Sequence, residues 1–434
     1  MTLRSGKVSL ARSQAYLERA RQLIPGCSQT FSKAPSQFVQ GVSPAFLQRG
    51  SGSHVWDVDG NEYVDYVSSL GAIILGHNDP DVSASVGRQI AEGTLFSLPH
   101  PLEVEVAALL TELVPCAEMV RFGKNGSDAT AGAVRAARAY TGRELVVCCG
   151  YHGWQDWYIG TTTRNKGVPE AVRRLTLTFP YNDAEALERI LAEERDGIAC
   201  VVMEPIGVVD PKPGFLARVR ELTHRAGAVL IFDEIVTGFR IALGGAQTYF
   251  GVTPDLACFG KAMGNGYPVA AVVGRRDLME VFEEVFFSFT FGGDALALAA
   301  TLATLEKMRS QAVIPHLWRQ GKILQDGYNG LAAELGLSGF TQCLGLPPRT
   351  VVQFKDARGE DSLELRSLFQ QEMVKRGVLF LAGFNLTFAH SDGDVSHTLE
   401  ACRETLQVVA RAVSADAVRD MLEGAPVQPV FRRA

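Results

Sequence analysis

Apolar and polar positions fall into blocks along the chain, and the blocks change character twice. In residues 13–24, SQAYLERARQLI, the apolar positions Tyr16, Ala20, Leu23 and Ile24 recur at helical spacing, and Pro25-Gly26 stops the run. Residues 54–67, HVWDVDGNEYVDYV, alternate around Asp59-Gly60, the pattern of a hairpin. Helices are expected near 80–92 and 102–114. From 118 to 305, short apolar runs alternate with helical patterns. Strands are expected near 145–150, 199–204, 228–233, 256–260 and 269–274, and helices near 127–141, 183–195 and 215–226. Such alternation predicts an α/β fold with a mostly parallel, doubly wound sheet. After a long helix near 294–309 the order changes. Helical runs near 312–336, 362–377 and 395–413 flank strand-like RTVVQF and VLFLAG, which predicts a smaller α+β domain. The tail, APVQPVFRRA, is expected to be irregular.

Composition narrows the class. A chain of 434 residues, 47% hydrophobic, can bury a large core and is long enough for two or three domains. A formal net charge of −6 gives no electrostatic footprint for nucleic acid or an anionic membrane. No apolar run approaches a membrane span, and MTLRSGKVSLARSQ lacks the apolar stretch of a signal peptide. The eight cysteines are scattered, mostly within apolar runs, with no CxxC pair for zinc or redox work. They read as small buried hydrophobes in a reducing cytoplasm. The expectation is a cytoplasmic protein without nucleic-acid, membrane or metal partners.

The chemistry concentrates at strand ends. In FGKAMGNGYP, Lys261 stands between an apolar run and a glycine-rich turn. Burial there would make its amine a nucleophile suited to Schiff-base chemistry; alone, the stretch reads more simply as a surface lysine after a strand. In AVLIFDEIVTGFR, Asp233 ends another strand, where an acid either meets a ligand or caps the next segment. Asn125, Gly126 and Ser127 open an alanine-rich helix, which is either a phosphate site or an ordinary cap. In VVCCGYHGWQDW a strand delivers the aromatic Tyr151. In chain order these are an anion cradle, a flat aromatic, a carboxylate and a lysine, one for each group of pyridoxal phosphate. No dinucleotide fingerprint follows the first strand, and no GxxxxGK[ST] loop occurs.

The motifs NGSDA, YHG, MEP, FDEIVTGFR, FGKAMGNG and FTFGGD stand in an order and spacing that resemble a known family. The chain, from about residue 20 to about 410, is similar to fold-type I pyridoxal-phosphate enzymes of the class III aminotransferase family, in the glutamate-1-semialdehyde aminomutase branch. The resemblance implies a large domain over 66–308 with a seven-stranded sheet. It also implies a discontinuous small α+β domain, built from an arm and hairpin at 1–65 and from 309–434. It makes Lys261 the Schiff-base lysine and Asp233 the partner of the pyridine nitrogen. Gly126 and Ser127 match the phosphate-binding pair, with Asn125 where many relatives carry Ser. Tyr151 matches the aromatic that stacks on the ring, and Ile235 the residue on the opposite face. His152 and Gly153 complete YHG, with His152 either in the site or purely structural. Glu204 resembles an acid bonded near Asp233 or the cofactor hydroxyl. Thr290 matches a threonine that reaches the partner's phosphate across a homodimer, although Asp294-Ala295 depart from the usual Asn-Pro or His-Pro. Glu234 would hold neighbouring backbone or a subunit contact. Arg240 is either a carboxylate clamp or a structural ion pair. Trp154 and Trp157 either shape the pocket or pack in the core.

The cofactor is better defined than the reaction, because several reactions share its chemistry and the protein chooses among them. The resemblance favours an aminotransferase that moves an amino group from an amino-acid donor to a carbonyl acceptor, such as a sugar or other polar ketone. The alternative is glutamate-1-semialdehyde 2,1-aminomutase. That enzyme has a long Gly/Ala/Ser-rich loop after YHG, where this chain reads WQDWYIGTTTRNKGVPEAV, and an NSPVR string where this chain reads CSQTFSK. Two other classes compete. A non-catalytic cofactor-binding regulator has no need of Lys261 and Asp233 together, and a nicotinamide oxidoreductase lacks its fingerprint here.

Overall fold

The computed structural model describes residues 9–194 and 196–431. The expected lack of a leader falls partly on residues 1–8. The last three residues of the tail and the end of the helix expected at 183–195 also fall outside the described residues.

In chain order the strands are β1 (Leu47–Ser51), β2 (His54–Asp57), β3 (Glu62–Asp65), β4 (Met119–Gly123), β5 (Leu145–Cys149), β6 (Thr176–Thr178) and β7 (Ile198–Met203). They continue as β8 (Val229–Asp233), β9 (Leu256–Phe259), β10 (Ala270–Gly274), β11 (Thr341–Leu346), β12 (Arg349–Phe354) and β13 (Val378–Leu379). The chain divides into two compact units, one running to Asp79 and resuming at Pro315, the other spanning Pro80 to Ile314.

The second unit holds a seven-stranded sheet of order β4-β10-β9-β8-β7-β5-β6. Only β10 runs against its neighbours, and the pairs β9-β8, β8-β7, β7-β5 and β5-β6 are parallel. The central strands read as unbroken apolar runs because both faces are covered: every residue of β7, β8, β9 and β10 is buried. Each fully buried Val, Leu or Ile there contributes roughly 1.5–3 kcal/mol. The helix Gly126–Thr141 packs on this sheet through Ala129, Ala133, Ala136 and Ala137, all buried. Small side chains let the helix approach closely.

The five expected strands and the three helices of the doubly wound region are present within one or two residues. The two strands not anticipated, β4 and β6, are the outermost of the sheet. Each is half-covered, with burial alternating or broken, so neither reads as a continuous apolar run.

The first unit carries the predicted hairpin, β2 with β3, in the four-stranded sheet β1-β2-β3-β13. Asp57 holds its turn by accepting from the backbone of Asp59 (2.9 Å) and Asn61 (2.8 Å). RTVVQF forms β12, paired with β11, whereas VLFLAG forms only the two-residue β13.

Candidate active site

The parallel strands bring the candidate residues to one edge of the sheet. Cys149, Met203 and Phe232 pair in register, so Tyr151, Glu204 and Asp233 leave the carboxyl ends of β5, β7 and β8 side by side. Asp233 pairs with Cys258 of β9, which places Lys261 just beyond the neighbouring strand. The carboxyl edge is where open α/β sheets bind ligands, since the loops and helix starts there are free of the packed interior.

Lys261 is half-buried and opens a single 3₁₀ turn, Lys261–Gly264. Its φ is 43°, in the left-handed region that non-glycine residues avoid at about 1–3 kcal/mol. Asp233 is buried, and both oxygens are engaged. Oδ2 accepts from His152 Nδ1 at 2.8 Å and Oδ1 from the Ile235 backbone N–H at 3.1 Å. His152 is therefore bonded to the acid at the end of β8. Its ring lies nearly parallel to that of Trp157 at 5.9 Å.

The anion cradle is built from two close approaches. Asn125 is the exposed N-cap of the helix Gly126–Thr141. The Asp128 carboxylate reaches back to accept from the backbone of Asn125 (2.8 Å) and Lys124 (3.1 Å). Among the described residues, the backbone N–H groups of Gly126 and Ser127 find no protein acceptor. Orphan donors of this kind at a helix start attract an anion. Gly153, at φ 102°, presses against Ser127, where a Cβ would lie 2.2 Å from Oγ. Ser127 Oγ in turn accepts from Trp154 N at 3.2 Å. Ile235 is packed against Gly126 and Gly260, whose added Cβ atoms would each come within 3.1 Å of it.

Tyr151 is half-exposed, and its backbone N–H donates to Glu204 Oε2 at 3.0 Å. Burial, with Asp233 and Glu204 nearby, pushes its phenol above the usual range. Glu204 thus holds the turn that presents Tyr151, a link absent from the sequence reading. Glu234 is fully buried and ties down the following loop by accepting from the backbone of Ala246 (2.7 Å) and Gln247 (2.9 Å). Arg240 is completely buried. Trp157 belongs to the core, while Trp154 is 63% exposed. Thr290 is exposed, and the flanking Phe286 and Phe291 are 81% and 61% exposed.

Sequence reasoning missed Lys124 and Asp128, and saw Asp294 only as a departure. Asp294 accepts from Lys124 Nζ at 3.0 Å and caps the helix Ala295–Ser310 through Leu296 N at 3.1 Å. The signal for Asp128 was present as the N-x-x-D spacing from Asn125. That for Lys124 with Asp294 was not, because the partners lie 170 residues apart. Among the described residues there is no cluster suited to a metal ion.

An orphaned helix start, a glycine pressed against it, a buried carboxylate on the neighbouring strands and a lysine at the next strand end fit pyridoxal phosphate and define a fold-type I enzyme of that cofactor. The aminotransferase class-III family matches residues 38–339, and the chain belongs to that family. It is 37% identical to the 3-aminobutyryl-CoA aminotransferase of Cloacimonas acidaminovorans, covering 93% of this chain and 99% of that protein. It is 39% identical to the glutamate-1-semialdehyde 2,1-aminomutase of Roseiflexus castenholzii, covering 92% and 98%. Its fold overlays that of the FumI protein of Sphingopyxis sp. MTA144, solved in its PLP internal aldimine form. The TM-score is 0.88 at 27% identity, over 96% of this chain and 99% of that one. The cofactor is pyridoxal phosphate.

Proposed function

We propose that this enzyme of the aminotransferase and aminomutase branch moves an amino group within glutamate 1-semialdehyde, as a 2,1-aminomutase. The similarity to several proteins of that name, at 36–40% identity over nearly their whole length, carries this reading. Transfer from an amino-acid donor to a separate carbonyl acceptor is the second reading, favoured by one observation. After YHG the chain has no long glycine-rich loop but two short helical turns, Asp156–Ile159 and Glu170–Arg173, the first of which buries its own Trp157 and Tyr158. The structural likeness to an omega-transaminase of Sphaerobacter thermophilus, 30% identical, also fits the second reading.

Both readings use the same residues. Bound pyridoxal phosphate supplies an electron-withdrawing ring that stabilises negative charge on the substrate carbon. Gly126 and Ser127 would hold its phosphate at the helix start. Asp233 would accept from the ring nitrogen and favour its protonated form. Tyr151 and Ile235 would pack against the cofactor and exclude water. Glu204 orients Tyr151, and Asn125 caps the cradle. Lys261 Nζ would hold the cofactor and carry the proton at the substrate carbon. The working form is a homodimer, with Thr290 lending its hydroxyl to the partner's phosphate site. The exposed Phe286 and Phe291 beside it support an interface there.

The deciding experiment supplies the loaded enzyme with glutamate 1-semialdehyde alone. Formation of 5-aminolevulinate without any added donor or acceptor is the expected result. Turnover only with a separate amino donor and carbonyl acceptor would reject aminomutation in favour of the second reading. Light scattering of the eluting protein tests the dimer, where a monomeric mass would reject it.

A further inference from the structure

We infer, on the reading that Gly126 and Ser127 hold the phosphate and Thr290 serves the partner's site, that Lys124 and Asp294 form a positioning clasp. Their ion pair fixes the loop bearing Thr290 against the start of the cradle helix. One contact then sets two phosphate-binding elements, the cradle of its own subunit and the hydroxyl lent to the partner.

The loop 286–294 is moored along the elements that carry the cradle. Arg135, on the helix Gly126–Thr141, donates from Nη1 to the Phe286 carbonyl at 2.7 Å. Arg121, on β4, donates from Nη2 to the Phe287 carbonyl at 3.1 Å. The Phe287 and Phe289 rings meet edge to face at 4.7 Å. They lie over Gly123, where an added Cβ would come within 3.6 and 3.7 Å of them. Past Phe289 the chain turns through the exposed Thr290 and returns at Asp294, whose Oδ2 accepts from Lys124 Nζ at 3.0 Å.

Each partner of the pair is also held through a second bond. The Lys124 backbone N–H donates to Asp128, the carboxylate that receives the Asn125 N–H as well. Asp294 Oδ1 receives Leu296 N at the start of the helix Ala295–Ser310. Asp128, Lys124 and Asp294 thus form a continuous chain of bonds from the first turn of the cradle to the far end of the Thr290 loop. Both side chains of the pair are mostly buried, where solvent and salt screen a charge pair little. The resemblance implies Asn or His at 294, and neither offers Lys124 a carboxylate. With its charge opposed by Asp294, Lys124 acts on the phosphate by placing the loop and the helix start, not as an anion ligand.

Absorbance titration of the cofactor-free enzyme with pyridoxal phosphate, and separately with pyridoxal, tests the clasp. Lys124→Met keeps the aliphatic stem without the charge, and Asp294→Asn keeps a side chain that caps a helix. Each should weaken pyridoxal phosphate by about tenfold to a hundredfold and leave pyridoxal, which has no phosphate, unaffected. The double variant should bind no more weakly than the worse single one, because both remove the same interaction. Equal weakening of pyridoxal would reduce the pair to a role in stability. Tighter pyridoxal phosphate in Asp294→Asn would make Lys124 a direct ligand released by the loss of its partner. Either result overturns the clasp. Thr290→Ala separates the clasp from the reading beneath it. Unchanged affinity for pyridoxal phosphate there would reject the assignment of Thr290. Weakened affinity there, with normal binding in both variants of the pair, would reject the clasp alone.

Discussion

Lys261 combines two costs that a lysine rarely bears at once, a half-buried place at the end of a buried strand and a left-handed backbone. Strain of this kind persists only where the surroundings over-determine it, and here β9 on one side and the turn through Gly264 on the other do so. If Lys261 Nζ is the tether and proton carrier, Lys261→Ala should still retain cofactor through the phosphate cradle. It should lose turnover by about 10²–10⁴-fold, read from absorbance of the bound cofactor and from product formation. Turnover at the native rate would remove the role. Gly153 is the second residue where local geometry decides. Gly153→Ala must place a Cβ 2.2 Å from Ser127 Oγ at a φ of 102°, so Ser127 or the Tyr151 turn has to move. A loss of about 1–3 kcal/mol in stability and weaker cofactor binding are expected, by thermal melts and cofactor titration. Lys261 and Asp233 were legible in the sequence because each ends an apolar run. The place of His152 was not, because its partner lies 81 residues away and nothing local to YHG indicates it.

Among the elements, the helix Gly126–Thr141 carries the cradle at its start and the sheet contact along its length. Its composition announces both, since a capped polar start followed by alanines predicts a helix that packs closely. Gly132 sits in its middle, where propensity alone would gain up to about 1 kcal/mol from alanine. An added Cβ would, however, lie 2.3 Å from the Phe287 ring. The clash outweighs the propensity, so Gly132→Ala should destabilise by about 1–3 kcal/mol in denaturant unfolding. Phe287→Leu in the same background should recover part of the loss, and a stabilised single variant would contradict this packing. The outer strands β4 and β6 went unread for a related reason. A strand covered on one side or for three residues only lacks the continuous apolar run that marks β7 and β8.

At the scale of the molecule, the first unit holds a charge cluster that ties its hairpin to the long helix Asp392–Ser414. His54 Nε2 meets Asp394 Oδ1 at 2.9 Å, and Asp394 Oδ2 also accepts from Ser53 Oγ (3.0 Å) and Ser391 N (2.8 Å). The bond to Asp394 raises the His54 imidazole above its ordinary value, against the opposing effect of burial. Burial pushes the Asp394 carboxyl up, but its bonds to His54, Ser391 and Ser53 outweigh this and hold it well below the carboxylate range. The raised His54 contributes stability that is complete below its unfolded value, about 6.5, and is lost as pH rises through the folded value. The lowered Asp394 contributes stability that is present above its unfolded value, about 3.9, and is lost as pH falls toward the folded one. Melting temperatures of the native protein should therefore decline as pH rises above about 6.5, and His54→Gln should flatten that decline. An identical slope in the variant would show that His54 does not carry it.

What the sequence determined by itself is what local pattern can encode. The doubly wound core, the hairpin at Asp59-Gly60, the capped alanine helix and the two strand-end residues Asp233 and Lys261 all follow from period, apolar run length and turn residues within a short window. What only the tertiary structure decided depends on partners distant in the chain. The bond from His152 to Asp233, the clasp of Lys124 with Asp294, the hold of Glu204 on Tyr151 and the wedge of Ile235 between two glycines exist because parallel strands bring their carboxyl ends to one edge. A side chain's neighbours across a sheet are set by strand order and register, and neither is written in any single stretch of residues.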